Sequence, residues 1–167
     1  MVRPNGKPQV PVLNEQWAAF IQSGVSVIVA SRDSRNLPIL ARGAGCRVSP
    51  GRKKITVFLS NSQAEALINS VRSTAAIGAV FTQPSTHTSL QLKGTDAMPG
   101  RLKATDIDLV KRWVEAFVAD TVVLGYSEEL MRAIVWCDAA DLMSLSFTPT
   151  SAFLQTPGPR AGEPLRY

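Results

Sequence analysis

Between residues 25 and 59 the chain carries three β-branched runs separated only by short polar turns, and this spacing restricts the fold more than any other feature. Val25-Ser26-Val27-Ile28-Val29-Ala30-Ser31 places valines at alternate positions and stops at Arg32-Asp33-Ser34-Arg35-Asn36. Pro38 to Val48 reads as a second strand, and Ser49-Pro50-Gly51-Arg52 turns it into a third, Lys54 to Leu59. Turns this short leave no room for a crossover helix, so the three runs form an antiparallel meander and not a βαβ unit.

Helical periodicity surrounds this meander. Asn14 is placed to cap a helix through Ile21 that puts Trp17, Phe20 and Ile21 on one face, with Gly24 ending it. Ser62-Gln63-Ala64-Glu65 reads as a capping box, with Leu67, Ile68 and Val71 continuing an apolar face. Ala75–Phe81 and Thr88–Thr95 read as two more strands around the polar turn Gln83–His87. Thr105-Asp106-Ile107-Asp108 signals a helix carrying Leu109, Val110, Trp113 and Phe117, and Ser127 precedes another over Glu128 to Val135. A strand near Asp141–Thr148 follows, then a Pro/Gly-rich tail. The expected fold class is α+β: an antiparallel split barrel of about six strands with flanking helices. It forms one domain over residues 1–167, with an arm at 1–12 and a tail at 155–167.

Charge and composition narrow the function classes. The formal charge of +5 favours anionic partners, but the 7% of aromatic residues do not alternate with basic ones as a base-stacking surface requires. A nucleic-acid partner is therefore unexpected. No window approaches the ~20 apolar residues of a membrane helix. The two cysteines, Cys46 and Cys137, are far apart and read as small buried residues, which suits a reducing, cytoplasmic setting. Neither GxSxG nor a P-loop is present, and Arg42-Gly43-Ala44-Gly45 lacks the third glycine and the βαβ setting of a dinucleotide site. His87 is the single histidine and reads as a solvated loop residue, so no metal site is expected. Trp113 and Phe117 read as core or dimer packing.

The order of elements, with three particular stretches, resembles the pyridoxamine-5'-phosphate-oxidase-like split barrel. These are Val57–Asn61 running into a helix and then Ala75–Phe81, the strand Leu90–Gly94, and Leu145–Pro149 feeding the tail through Gly162. The resemblance implies a homodimer with FMN in a cleft at the interface, acting as an oxidoreductase on a small molecule. It also implies a phosphate site built from Arg42 and Arg47, the junction Leu59-Ser60-Asn61-Ser62, Ser89, and Arg160 of the tail. Two guanidinium groups suit a phosphate. Five residues apart on a flat strand, however, Arg42 and Arg47 point to opposite faces unless Gly43 and Gly45 permit a bulge. Ser60 reads equally as a turn residue, and Arg160 as part of a plain surface tail. Two departures stand out. Ala64-Glu65-Ala66 occupies the place of the family's Ser-Arg-Lys, and the Arg-Leu-x-Pro ending of the vitamin B6 oxidases is missing. Deazaflavin, haem or a non-redox ligand on the same fold are accordingly the alternatives to FMN.

Overall fold

The computed structural model describes residues 13–165; the expected arm at 1–12 lies outside them. Eight strands form one sheet: β1 (Ser26–Arg32), β2 (Pro38–Val48), β3 (Ile55–Ser60), β4 (Ile77–Thr82), β5 (Ser89–Gly94), β6 (Met98–Gly100), β7 (Leu142–Phe147) and β8 (Ser151–Leu154). Their order is β6-β7-β3-β2-β1-β4-β5-β8, every neighbouring pair is antiparallel, and the sheet does not close. Four helices flank it: α1 (Glu15–Gln22), α2 (Glu65–Thr74), α3 (Asp106–Val122) and α4 (Glu128–Ile134). The α+β split barrel is as expected. The two strands beyond the expected six are β6 and β8, three and four residues long, too short to leave a periodic signal.

β3 is an interior strand, between β7 and β2, and is buried along its whole length. Its odd positions, Ile55, Val57 and Leu59, join the main core with Val27, Val29, Ala79, Phe81, Leu90, Leu92, Leu145 and Phe147. Phe58 points the other way, into a second core made with α3 and α4: Trp113, Phe117, Val118, Met131 and Val135. Fully burying side chains of this size is worth roughly 1.5–3 kcal/mol each, so two cores on opposite faces hold β3 firmly.

β2 changes face in mid-strand. Ile39 and Ala41 pack toward the main core before residue 43, whereas Cys46 and Val48 do so after it. The shift arises because three steps on β2, Gly43 to Cys46, oppose two on β3, Leu59 to Val57. One extra residue makes a β-bulge, and Gly45 supplies the left-handed backbone at φ +90°. A side chain at Gly45 would also strike Trp113, 2.8 Å away. Arg42 and Arg47 therefore do leave the sheet on the same face, the one α3 covers.

α3 is fastened to that face by three contacts. Trp113 donates its buried indole N–H to the Val25 carbonyl at 2.7 Å. Gly24 lets the helix backbone close in, since a Cβ there would sit 2.3 Å from the Ala116 carbonyl carbon. At the helix start, Arg47 Nε donates to the fully buried carboxylate of Asp106 at 2.9 Å, and the Lys103 amide donates to the same group at 2.8 Å. Thr105 makes no side-chain cap, contrary to expectation; Asp106 closes the turn instead. The helix cap at Asn14 and that at Ser127 form as expected. Gly24 lies just past α1, which stops at Gln22 with Ser23 as its cap.

Two outcomes follow from this docking. Gly24→Ala pushes α3 off β1 and lowers the unfolding free energy by roughly 1–3 kcal/mol. Gly51→Ala, in open space, changes it by less than about 0.5 kcal/mol. Equal denaturant midpoints for the two variants would refute the close-approach argument. Asp106→Ala strands the Arg47 charge at a largely covered site and costs roughly 3 kcal/mol in the same assay.

Candidate functional site

The end of β3 and the residues after it gather most of the polar side chains singled out in the sequence. β7 pairs with β3 through Ser60 opposite Leu142, and the ladder runs one step further as the Asn61 amide donates to the Asp141 carbonyl at 2.7 Å. This register brings Asp141, the last residue of a short 3-10 turn (Ala139–Asp141), against the β3–α2 junction. Its carboxylate takes hydrogen bonds from the Ser60 hydroxyl, from the Ser62 hydroxyl at 2.7 Å and from the Ser62 amide at 3.0 Å. The Gln63 amide donates in turn to the Ser60 hydroxyl at 3.2 Å.

The expected capping box is therefore absent. Ser62 is committed to Asp141, α2 begins at Glu65, and Ala64 precedes it with no side-chain cap. The bonds from Ser60 and then Ser62 hold the Asp141 carboxyl below its ordinary range. With the folded pKa depressed, whatever Asp141 contributes to stability is present above the ordinary carboxylate range and is lost only as pH falls through the lower folded value.

Arg42 and Ser60 line one shallow notch of about 20 Å³, together with Gly43, Ala44, Gln63 and Trp136. Arg42 is exposed and forms no ion pair among the described residues. Adjoining the notch is a mainly apolar pocket of about 340 Å³, bordered by Val110, Val114 and Leu142 from α3 and β7, with Lys111, Glu115 and Arg132 also lining it. The two share one wall, Val135-Trp136-Cys137, and Trp136 is 74% exposed. An apolar cavity of this size with a few convergent polar groups is what small-molecule sites look like.

The remaining expected residues lie elsewhere. Arg47 does not line the notch; Asp106 holds its guanidinium under the start of α3. The side chain of Leu59 is fully buried in the main core. Asn61 and Ser62 line a separate polar depression of about 410 Å³ with Glu65, Asn69 and Arg72. Ser89 bonds Thr82 and, through its amide, Thr156 of the tail. Arg160 pairs with Glu163 at 3.0 Å on the edge of another depression, beside Leu154 and Pro164. The tail is no loose end: Gly162 donates to Leu154 and Leu165 to Ala152, folding it back along β8.

Sequence reasoning overlooked Asp141 and Trp136. The first depends on a strand pairing that spans some eighty residues (Ser60 to Asp141), which no local pattern announces. Trp136 carried a weak signal, as a large aromatic between a helix end and a polar turn.

The cysteines differ. Cys46 is buried as expected, donates to the Ile21 carbonyl, and has its thiol pushed far up by burial. Cys137 is only half-buried, which corrects the expectation for it. Burial first, then the charge of Asp141, raise its thiol above the ordinary value, so it is not a primed nucleophile. His87 sits exposed in the β4–β5 turn. Lys93 is exposed as well, its ammonium 5.0 Å from the Phe153 ring centre. No helix among the described residues is long and apolar enough to cross a membrane.

No family model matches the chain, and no curated protein matches it in sequence. Solved structures do resemble it. HupZ from Group A Streptococcus has a TM-score of 0.55 at 13% identity, covering 90% of this chain and all of that one. An F420 reductase has a TM-score of 0.53 at 12% identity, covering 84% and 98%. A candidate pyridoxamine 5'-phosphate oxidase from Lactobacillus delbrueckii has a TM-score of 0.49 at 11% identity, covering 85% of this chain and 93% of that one. At such identities the likeness is one of fold. The chain has the split-barrel fold of the pyridoxamine 5'-phosphate oxidase-like proteins.

Proposed function

We propose that the protein binds a flavin in the cleft shared by Arg42, Ser60 and Trp136, FMN being the form that the resemblance implies. In this reading it acts as a homodimeric oxidoreductase on a small molecule. The observation that carries the reading is the meeting of a guanidinium with no ion pair among the described residues, a strand-end hydroxyl and an exposed indole beside an apolar cavity. The β2–β3 register supports it, because the pairing of Gly43 with Leu59 sets Arg42 beside Ser60 at the same end of the two strands. A bound flavin supplies the redox chemistry itself, while the protein binds it, orients it and excludes water.

The residues suit a flavin in part. The Val135–Cys137 wall suits an apolar ring face, and Arg42 suits its polar edge. The Ser60–Ser62 junction does not suit a phosphate, because its donors are turned onto Asp141 and Glu65 adds a second negative charge in the first turn of α2. This mismatch favours a second reading, in which another ligand on the same fold, a deazaflavin or haem, takes the cleft with or without turnover. A second copy of the chain is the reading for what covers Trp136, along with the exposed Ile134 and Leu130 of α4.

The test is a titration of purified, ligand-free protein with FMN, followed by flavin fluorescence. Binding is expected in the micromolar range or tighter, weakened about tenfold in Arg42→Ala through loss of one charge-assisted contact. Trp136→Ala should weaken it similarly. Absence of binding to the parent at high micromolar FMN would sink the flavin reading, and deazaflavin and haem would follow. Sedimentation of the protein at micromolar concentration checks the dimer.

A further inference from the structure

We infer that Asp141 is a built-in anion that fills the Ser60–Ser62 cradle and sets the ligand class of the cleft, selecting a cofactor whose affinity owes nothing to a phosphate. The inference rests on the flavin-cleft reading and deepens it: the favoured flavin form is the unphosphorylated one, of the riboflavin type.

Two hydroxyls and one amide converge on a single carboxylate: Ser60 Oγ and Ser62 Oγ on one oxygen, Ser62 N–H on the other. Hydroxyls and backbone N–H groups at the start of a helix are the groups a phosphate would use. Here they are satisfied within the chain. The Asn61 amide, the next candidate, is spent on the Asp141 carbonyl. The carboxylate is held from behind as well. Its residue belongs to a 3-10 turn whose own cap, Asp138, accepts from the Ala140 amide at 2.9 Å, and it leads directly into β7, paired with β3 on one side and β6 on the other.

Charge points the same way. A phosphate arriving at Ser60 would meet the Asp141 carboxylate at hydrogen-bond range of the same hydroxyls, with Glu65 exposed in the first turn of α2. The cations near the junction are Arg42, in the notch, and Arg72, in the depression with Asn61 and Ser62. Among the described residues neither forms an ion pair with Asp141, whose carboxylate is held by hydrogen bonds. Swinging Asp141 out would break all of these bonds together. A ligand ending in neutral hydroxyls faces no such conflict, since it can meet Arg42 and Trp136 and leave the cradle as it is.

Isotope-labelled parent, Asp141→Ala and Asp141→Asn are titrated with inorganic phosphate while the Asn61 and Ser62 amide resonances are followed. Millimolar phosphate should leave these resonances unmoved in the parent and shift them saturably in Asp141→Ala. In parallel, FMN and riboflavin affinities are compared. Their ratio should lie within about threefold in the parent and move at least tenfold toward FMN in Asp141→Ala. Saturable phosphate shifts in the parent, or no gain in either folded variant, would overturn the inference. If both variants fail to fold by circular dichroism, the parent decides: near-equal affinities uphold it, and a tenfold preference for FMN overturns it. If neither flavin binds any form while phosphate binds Asp141→Ala, the flavin reading fails and the assignment of Asp141 stands.

Discussion

One extra residue in β2 sets up the arrangement that the rest of the molecule uses. Between Gly43 and Cys46 the strand advances three positions against two on β3, and its inward face switches parity. Without that slip Cys46 and Val48 would leave the main core, and Arg47 would lose Asp106. Gly45 in the left-handed region is also the floor on which Trp113 rests. The bulge, the indole and the close approach at Gly24 thus form one joint. Through it α3 covers the second face of β2 and β3, and α4 and the Val135–Cys137 wall are built onto α3.

The same joint explains how the cationic groups are divided. Arg42 and Arg47 emerge on one face, yet only Arg42 is left for a ligand. Arg47 is consumed in seating α3, where a fully buried carboxylate requires it. A paired, largely covered ion pair of this kind adds little net stability over an apolar contact but is costly to break. It acts as a fastening and not as an anion receptor.

Much of the architecture was legible in the sequence because it is written locally. The valines at 25, 27 and 29, the Pro-Gly turn at 50–51 and the caps at Asn14 and Ser127 each specify their element through short-range chemistry. A bulge permitted by Gly43 and Gly45 was foreseen only as the condition for Arg42 and Arg47 to act together on a phosphate. What could not be read were contacts set by distant pairing. Asp141 reaches Ser60 and Ser62 only because β7 lies beside β3, and this contact dissolves a capping box that the local pattern Ser62–Glu65 advertises. Likewise Asp106 closes the first turn of α3 in place of Thr105, because Arg47 lies beneath it. β6 and β8 are held by their neighbours, not by their own residues, so they left no trace.

The cleft that results joins a polar notch to an apolar cavity, with Asp141 holding the Ser60 hydroxyl at its edge. Its reading as a ligand site depends on Arg42 and Trp136 facing the same guest. A crystal structure of the protein grown with FMN tests that most directly. The account expects a flavin ring against Trp136, its polar edge on Arg42, and Asp141 still bonded to Ser60 and Ser62. A flavin seated at any other surface, or its phosphate on Ser60 and Ser62 with Asp141 displaced, would contradict it.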